Sequence, residues 1–164
     1  MNDTVRVAAT ALLAACRDRN LTIATAESCT GGLVAGALTD IAGSSDVVDR
    51  GFVTYSNAAK QQMLDVSAAT LKKSGAVSRE TAEAMAQGAL AHSDADLVVA
   101  ITGIAGPGGG SSDKPVGLVH FAAAARGAVI THKEMRYGDI GREAVRQKSV
   151  LDALAMLAAI VRKI

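Results

Sequence analysis

Residues 21–41, LTIATAESCTGGLVAGALTDI, contain the segment that decides the fold. Its first part, Leu21–Ala26, is short and rich in β-branched side chains, which predicts a buried strand. The polar, glycine-containing stretch Glu27–Gly32 predicts a tight turn. Apolar side chains then recur at helical spacing as far as Ile41, so a helix follows the turn. In such a strand–turn–helix unit, the backbone N–H groups at the start of the helix can face a ligand.

Helices and strands alternate along the rest of the chain, with one hairpin near the end. The predicted helices lie at residues 4–18, 33–41, 57–64, 68–73 and 142–163, with one more starting after an N-cap at Ser78. The other predicted strands are Val47–Tyr55, Leu97–Thr102, Gly117–Ala125 and Val129–Arg136. We expect Gly75 to cap a helix C-terminus and Asp139 to cap the start of the last helix. This order predicts one α/β domain over residues 1–164, a three-layer α/β/α sandwich with a mixed central sheet.

The composition excludes several kinds of protein. The 164 residues are 49% hydrophobic and 20% charged, which is typical of a chain with a folded core and not of a disordered one. Seventeen basic and sixteen acidic residues give a net charge of +1, so no basic surface is expected for nucleic acid. Aromatic residues make up 2%, too few for the stacking surfaces that bind single strands. We therefore expect no nucleic-acid partner.

The cysteine and histidine content predicts neither a metal nor an organic cofactor. Cys16, Cys29 and three scattered histidines cannot complete a four-ligand metal site or a disulfide framework. The first residues lack the pattern of a secretory signal, and no apolar run approaches the roughly 20 residues that span a bilayer. We expect a cytoplasmic protein with no membrane partner and two free thiols. Whether it forms a homodimer is left open by the sequence.

Candidate functional residues follow the predicted strands. The turn Glu27–Gly32, the tripeptide Tyr55-Ser56-Asn57 and the dipeptide Thr102-Gly103 each stand where a strand ends. Open α/β sheets bind ligands outside the carboxyl ends of their strands, so these polar groups are candidates for one site. The alternative, that they only form turns and cap helices, stays open at this point.

Ser28 is a candidate nucleophile, and its hydroxyl would need a base. His92, His120 and His132 do not stand at strand ends, so a Ser–His pair is not indicated. Lys60 lies in the uncharged stretch SNAAKQQML and could act as a base if burial or a neighbouring cation lowered its pKa. An ordinary solvated lysine is the alternative. The neighbouring thiol of Cys29 is expected to be buried and inert.

Two further features have both a functional and an ordinary interpretation. The glycine-rich stretch Gly103–Pro115 matches neither a dinucleotide-binding nor a Walker motif, although glycines allow a backbone to approach a phosphate or carbonyl oxygen closely. It could equally be a flexible surface loop. Arg142 and Arg146, four residues apart on the last helix, form a small cationic face that could meet a phosphate or remain a solvated or ion-paired surface.

Five motifs together resemble a known family. They are TAESCTGG (Thr25–Gly32), GFVTYSNAAK (Gly51–Lys60), GAVS (Gly75–Ser78), ITGIAGPGGG (Ile101–Gly110) and KPVG (Lys114–Gly117). In this order they resemble the CinA C-terminal family, which includes stand-alone nicotinamide-nucleotide amidases, and the likeness extends from about Leu12 to the last helix. The resemblance implies a three-layer α/β/α fold. It also implies hydrolysis of the carboxamide of nicotinamide mononucleotide to nicotinic acid mononucleotide and ammonia.

The resemblance also implies roles for particular residues. Ser28 becomes the nucleophile, with Tyr55 and Lys60 as proton relay and base. The expected substrate contacts are Cys29, Thr30, Gly31, Thr102, Gly103 and Arg142. No residue is assigned to a metal. The alternative function is a non-catalytic module that binds a pyridine nucleotide, but a pure binder has no need for a nucleophile with a base, so the set Ser28, Tyr55 and Lys60 favours the enzyme.

Overall fold

The computed structural model describes residues 2–164 of the chain. Within them lie six α-helices, five strands and a short 3-10 helix at Ser44–Asp46. The helices are α1 (Asp3–Arg17), α2 (Leu33–Thr39), α3 (Asn57–Leu64), α4 (Ala68–Ser74), α5 (Arg79–Ala91) and α6 (Arg142–Val161). The strands are β1 (Ile23–Glu27), β2 (Val48–Val53), β3 (Leu97–Gly103), β4 (Leu118–Ala125) and β5 (Thr131–Arg136).

The five strands form one mixed sheet in the order β2-β1-β3-β4-β5. Strand β1 runs parallel to β2 and β3, whereas β4 pairs antiparallel with both β3 and β5. The predicted mixed sheet and the predicted β4–β5 hairpin are therefore confirmed. The apolar run of β3 lies at the centre of the sheet, where all its residues except the last are buried. Such burial on both faces explains why its sequence does not alternate.

Helices cover both faces of the sheet, which confirms the predicted three layers. Side chains such as Ile23 and Val99 point towards α1, α2 and α6, and together they form the larger core cluster. Their neighbours along the strands, such as Ala24 and Val98, point towards the layer that contains α3, α4 and α5. This alternation follows from the two-residue repeat of a strand.

Several element ends differ from the sequence expectation. Strand β1 includes Glu27, which was expected in the turn, and β2 ends at Val53, so Tyr55 lies beyond the strand. Strand β5 begins two residues later than expected, and Val129 is 91% exposed in the turn before it. The predicted cap of α6 by Asp139 is wrong. Gly141 occupies the N-cap position with a φ of 96°, a value that favours glycine, and makes no side-chain cap bond. The caps by Ser78 and Gly75 are confirmed.

A glycine lets α3 and α5 approach each other closely. A Cβ atom at Gly88 of α5 would lie 2.0 Å from the backbone oxygen of Leu64, at the end of α3. Any side chain at this position would push the two helices apart. Because α3 carries Lys60, the contact at Gly88 helps to set how far that side chain reaches into the sheet edge.

Replacing two glycines with alanine should have opposite effects on stability. Gly36, on the exposed side of α2, has no heavy atom near an added Cβ, so Gly36→Ala should raise the free energy of unfolding by about 0.5–1 kcal/mol. Gly88→Ala should lower it by about 1–3 kcal/mol, because the methyl group would overlap backbone. Urea unfolding of both variants checks this, and a neutral Gly88→Ala variant would contradict the close helix contact.

Candidate active site

Ser28 stands at the carboxyl edge of the sheet, directly after β1. Its backbone N–H donates to the carbonyl of Ile101 at 2.9 Å, so pairing with β3 continues one residue beyond the strand. Its carbonyl accepts from the N–H of Gly31 at 3.0 Å, which closes a tight turn. The side chain is 8% exposed. The turn therefore presents the Ser28 hydroxyl in a nearly closed environment between β2 and β3.

Lys60 is almost completely buried at this edge, with 1% of its surface exposed. It sits on α3, a helix that begins at an N-cap made by Ser56. Its Nζ atom lies 2.9 Å from Oγ of Ser28, 2.8 Å from the carbonyl oxygen of Thr54 and 3.4 Å from that of Tyr55. The structure thus brings the predicted nucleophile and the predicted base into hydrogen-bond contact.

Burial changes the protonation of both Lys60 and Cys29. Loss of contact with water lowers the pKa of Lys60 from 10.5 to about 8, because the charged ammonium is disfavoured away from solvent. Burial also raises the pKa of Cys29 to about 12, although Arg146 and Lys60 nearby act in the opposite direction. The thiol is therefore neutral at physiological pH. This agrees with the expectation of an inert Cys29, but the cations beside it were not foreseen.

The phenol of Tyr55 is exposed beside the cavity and makes no hydrogen bond to the side chain of Lys60 or Ser28. Its side chain is 59% exposed, and its hydroxyl oxygen accepts a hydrogen bond from Nη2 of Arg142 at 2.9 Å. The same guanidinium donates through Nη1 to the carbonyl of Gly106, also at 2.9 Å. Arg142, the first residue of α6, therefore connects the phenol to the glycine-rich loop.

Thr102 and Gly103 line the site from the end of β3. The Thr102 hydroxyl is almost fully buried and donates to the carbonyl of Ala76 at 2.7 Å. Because its proton is used in this way, the oxygen can only accept a hydrogen bond from a ligand. A Cβ atom at Gly103 would lie 2.8 Å from the carbonyl oxygen of Leu118, so this position requires glycine.

Glu27 is a fully buried carboxylate that ties the end of β1 to the start of α2. Its two oxygens accept hydrogen bonds from the backbone N–H groups of Val34 at 2.9 Å and Ala35 at 3.0 Å, and from the Thr25 hydroxyl at 3.3 Å. The N-cap residue of α2, Gly32, has no side chain to do this. Glu27 thus supplies the capping group of α2 from the far side of the Ser28 turn.

Arg146 holds the same turn from the α6 side. Its Nε atom donates to the carbonyl of Cys29 at 3.1 Å, and its Nη2 atom donates to the carbonyl of Thr30 at 3.2 Å. The sequence suggested a phosphate contact or a solvated face for Arg142 and Arg146 together. Instead, the guanidinium of Arg146 is bonded to backbone, one helical turn beyond Arg142.

The backbone N–H groups of the turn are only partly paired. No residue from 2 to 164 accepts a hydrogen bond from the N–H of Cys29 or of Thr30, whereas the N–H of Gly31 is used within the turn. The hydroxyl of Thr30 is buried and also without a hydrogen-bond partner among these residues. Two neighbouring unpaired donors next to a nucleophile are suited to bind negative charge.

A cavity of about 270 Å³ opens beside Ser28 and Lys60. The predicted residues that line it are Ser28, Cys29, Tyr55, Lys60, Thr102, Gly103 and Arg142. Thr30 and Gly31 do not line it. The glycine-rich loop was singled out in the sequence, but the particular lining residues were not predicted, because they are apolar residues or glycines without a reactive group. They are Ala76, Val77, Ile104, Ala105, Gly106, Gly108 and Gly109. A larger hollow of about 710 Å³ lies between α1, α2 and α6 and shares only Arg142 with this cavity.

Other polar clusters do not contribute to this site. His120 and His132 face each other across β4 and β5 with their ring nitrogens 2.9 Å apart. Within residues 2–164, no group of three His, Cys, Asp or Glu side chains could hold a metal ion. Cys16 and Cys29 are both buried free thiols, as expected. None of the helices in this range is long and apolar enough to cross a membrane.

Comparison with known proteins places the chain in a family. The sequence model of the CinA C-terminal domain matches residues 6–161, so the chain belongs to the CinA C-terminal family. This confirms the resemblance seen in the motifs. The chain is 55% identical over 144 residues to the nicotinamide-nucleotide amidohydrolase PncC of Escherichia coli K12, an alignment that covers 87% of this chain and 86% of that protein.

Two further relatives are a longer protein and a protein with a crystal structure. A CinA-like protein of Synechococcus is 53% identical over 150 residues, which cover 91% of this chain but only 36% of that protein. The chain thus spans about a third of that relative. The crystal structure of the competence/damage inducible protein CihA from Agrobacterium tumefaciens superposes with a TM-score of 0.96 at 57% identity, over 98% of this chain and 97% of that one. The fold is therefore that of CinA structures.

Replacing Glu27 with glutamine should destabilise the protein. A glutamine side chain keeps the shape but has one acceptor oxygen, so the N–H of Val34 or Ala35 would face an NH₂ group in a buried site. We expect the free energy of unfolding to fall by about 1–3 kcal/mol, measured by urea denaturation. Glu143→Gln, on an exposed part of α6, is the matched control and should change it by less than about 0.5 kcal/mol. Equal stability of both variants would show that Glu27 does not hold the turn.

Proposed function

We propose that this chain hydrolyses the carboxamide of nicotinamide mononucleotide to nicotinic acid mononucleotide and ammonia, with Ser28 as the nucleophile and Lys60 as its base. The observation that carries the proposal is the 2.9 Å contact between Nζ of Lys60 and Oγ of Ser28 in a site where the amine is 1% exposed. The substrate is inferred from the relatives named nicotinamide-nucleotide amidohydrolase, whose length this chain nearly covers.

The hydrogen bonds of Lys60 suit a neutral amine that takes a proton. Two carbonyl oxygens, those of Thr54 and Tyr55, can accept its two N–H groups. Its lone pair is then free for the Ser28 hydroxyl, which donates its proton to Nζ as Oγ attacks the carbonyl carbon of the amide. A pKa of about 8 leaves a useful fraction of the amine neutral at physiological pH.

The tetrahedral intermediate needs stabilisation and a proton for its leaving group. Its oxyanion would accept a hydrogen bond from the unpaired N–H group of Cys29, which lines the cavity. The C–N bond then breaks, and the departing nitrogen takes the proton that Lys60 received from Ser28, so that ammonia leaves and Lys60 is neutral again. We assign the relay of this proton to Tyr55, because its oxygen accepts from Arg142 and its own O–H proton is therefore free to donate. Thr102, as an acceptor, would bind an N–H of the amide.

Water completes the reaction on the acyl-enzyme. With ammonia gone, Lys60 removes a proton from a water molecule, which attacks the ester carbon. The C–Oγ bond then breaks, the Ser28 oxygen recovers a proton from Lys60, and the product leaves as a carboxylate. No step in this scheme calls for a metal or an organic cofactor.

Ammonia release tests the function directly. The purified full chain is incubated with nicotinamide mononucleotide in the presence of a chelator, and both ammonia and nicotinic acid mononucleotide are quantified. We expect equal amounts of the two products at a rate that the chelator does not change. Binding of the nucleotide without any release of ammonia would favour the alternative, a non-catalytic pyridine-nucleotide-binding module.

Substitutions at the two neighbouring positions 28 and 29 should show which of the two side chains is the nucleophile. Ser28→Ala removes the attacking oxygen and should reduce kcat by several orders of magnitude while the melting temperature stays near that of the wild type. Cys29→Ala should keep most of the activity, because the thiol is neutral and buried. Near wild-type turnover in Ser28→Ala would show that Ser28 is not the nucleophile. Loss of turnover in a folded Cys29→Ala variant would show that Cys29 is not a bystander.

The pH dependence of kcat/KM should report the ionisation of Lys60. Only the neutral amine acts as a base, so log kcat/KM should rise with unit slope and level off above about pH 8. Lys60→Arg should remain inactive across this range, because a guanidinium does not lose its proton. A sizeable rate in Lys60→Arg would show that the residue only orients or neutralises the substrate, and Tyr55 would become the next candidate for the base.

A further inference from the structure

Arg146 makes two contacts that the reaction scheme above does not use. Its guanidinium donates to the carbonyls of Cys29 and Thr30, two consecutive peptide units of the turn that carries Ser28. The group lies against the turn, since Nη2 would be 3.4 Å from a Cβ atom added at Gly31. A solvated arginine on a helix surface would not hold two adjacent carbonyls in this way.

These contacts determine where two backbone N–H groups point. In a planar trans peptide the N–H points opposite to the C=O. When Arg146 holds the carbonyl of Cys29, it therefore directs the N–H of Thr30 away from α6. When it holds the carbonyl of Thr30, it fixes the next peptide unit, whose Gly31 N–H donates to the carbonyl of Ser28. That bond in turn sets the direction of the N–H of Cys29.

We propose that Arg146 is a positioning residue for this active site, whose bonds to the carbonyls of Cys29 and Thr30 hold the turn so that the N–H group of Cys29, which lines the cavity, points towards the oxyanion of the intermediate. This inference rests on the proposed function, because it supposes that Ser28 attacks a carbonyl carbon. In this role Arg146 orients the backbone of the turn and does not contact the substrate.

The geometry requires a guanidinium and not only a positive charge. Two N–H groups of one planar fork reach two carbonyls at 3.1 and 3.2 Å. A lysine ammonium carries all its donors on one nitrogen at the end of a flexible stem, so it cannot reproduce the two fixed N–H positions of the planar fork. Loss of an oxyanion donor lowers kcat by about 10²–10³-fold in serine hydrolases, so a donor whose direction is only loosened should lower it by a somewhat smaller factor.

The first experiment compares Arg146→Lys with wild type on nicotinamide mononucleotide. We expect kcat to fall about 10–100-fold while KM changes less than about threefold, because the donors matter for the intermediate more than for the bound substrate. The pH at which the rate levels off should stay the same, since Lys60 is untouched. Added guanidinium ion at low millimolar concentration should restore part of the rate of Arg146→Ala.

A second reaction keeps the test independent of the substrate assignment. p-Nitrophenyl acetate acylates an activated serine, with nitrophenolate as leaving group, and peptide mass spectrometry locates the acetyl group. We expect acetylation of Ser28 in the wild type and slower acetylation by the same factor in Arg146→Lys. Should the wild type be acetylated but fail to release ammonia, the proposed function would fall, and slower acetylation of Arg146→Lys would still support the role of Arg146.

Arg162→Lys, at the exposed C-terminal end of α6, is the matched control and should behave as wild type in both reactions. The melting temperatures of all variants are measured alongside. Unchanged kcat and acetylation in Arg146→Lys would overturn the proposal. So would a fall in rate matched by an equal loss of folded protein, or the absence of Ser28 acetylation in the wild type.

Discussion

The burial of one amine beside one hydroxyl is the constraint on which the site depends. Lowering the pKa of Lys60 from 10.5 to about 8 corresponds to about 3 kcal/mol by which the site disfavours the charged amine. The buried amine keeps its hydrogen bonds, because two carbonyl oxygens and a serine hydroxyl lie next to it. A neutral amine satisfied in this way is a base, whereas the same side chain in water would be an ammonium.

The rest of the structure keeps that pair in place. Ser28 lies at the edge of the sheet because it directly follows β1, and Lys60 lies on α3, the helix that follows β2. Glu27 anchors the turn to α2, and Arg146 anchors it to α6. The turn is thus held on both sides by buried or half-buried ionic groups of opposite charge, which leaves little freedom for the serine or for the amides that follow it. Pre-organised donors of this kind stabilise developing charge without reorganisation.

Much of the fold and of the candidate site could be predicted from the sequence. The rest depends on distances between groups far apart in the chain, which the periodicity of the sequence does not encode. The apolar run of β3 and the glycine turn after β1 indicated the layered sheet, and the motifs singled out Ser28 and Lys60 as a pair. The burial of Lys60 could not be inferred, because a lysine in an uncharged helix is usually solvated. The close approach of α5 to α3, the helix that carries Lys60, was not visible in the sequence either. Glu27 was expected in the turn, and Arg146 was seen only as part of a cationic face, because their partners are backbone groups distant in the chain.

The ionisation of Lys60 is the property that tests this account most directly. Lysine labelled with ¹³C at Cε gives an NMR signal whose chemical shift follows the protonation of the amine, and the spectrum of Lys60→Arg assigns the signal of that residue. The account predicts that Lys60 titrates with a pKa of about 8, apart from the exposed lysines. A Lys60 signal that stays protonated until its ordinary pKa of 10.5 would contradict it, because the amine would then be an ammonium throughout the physiological range.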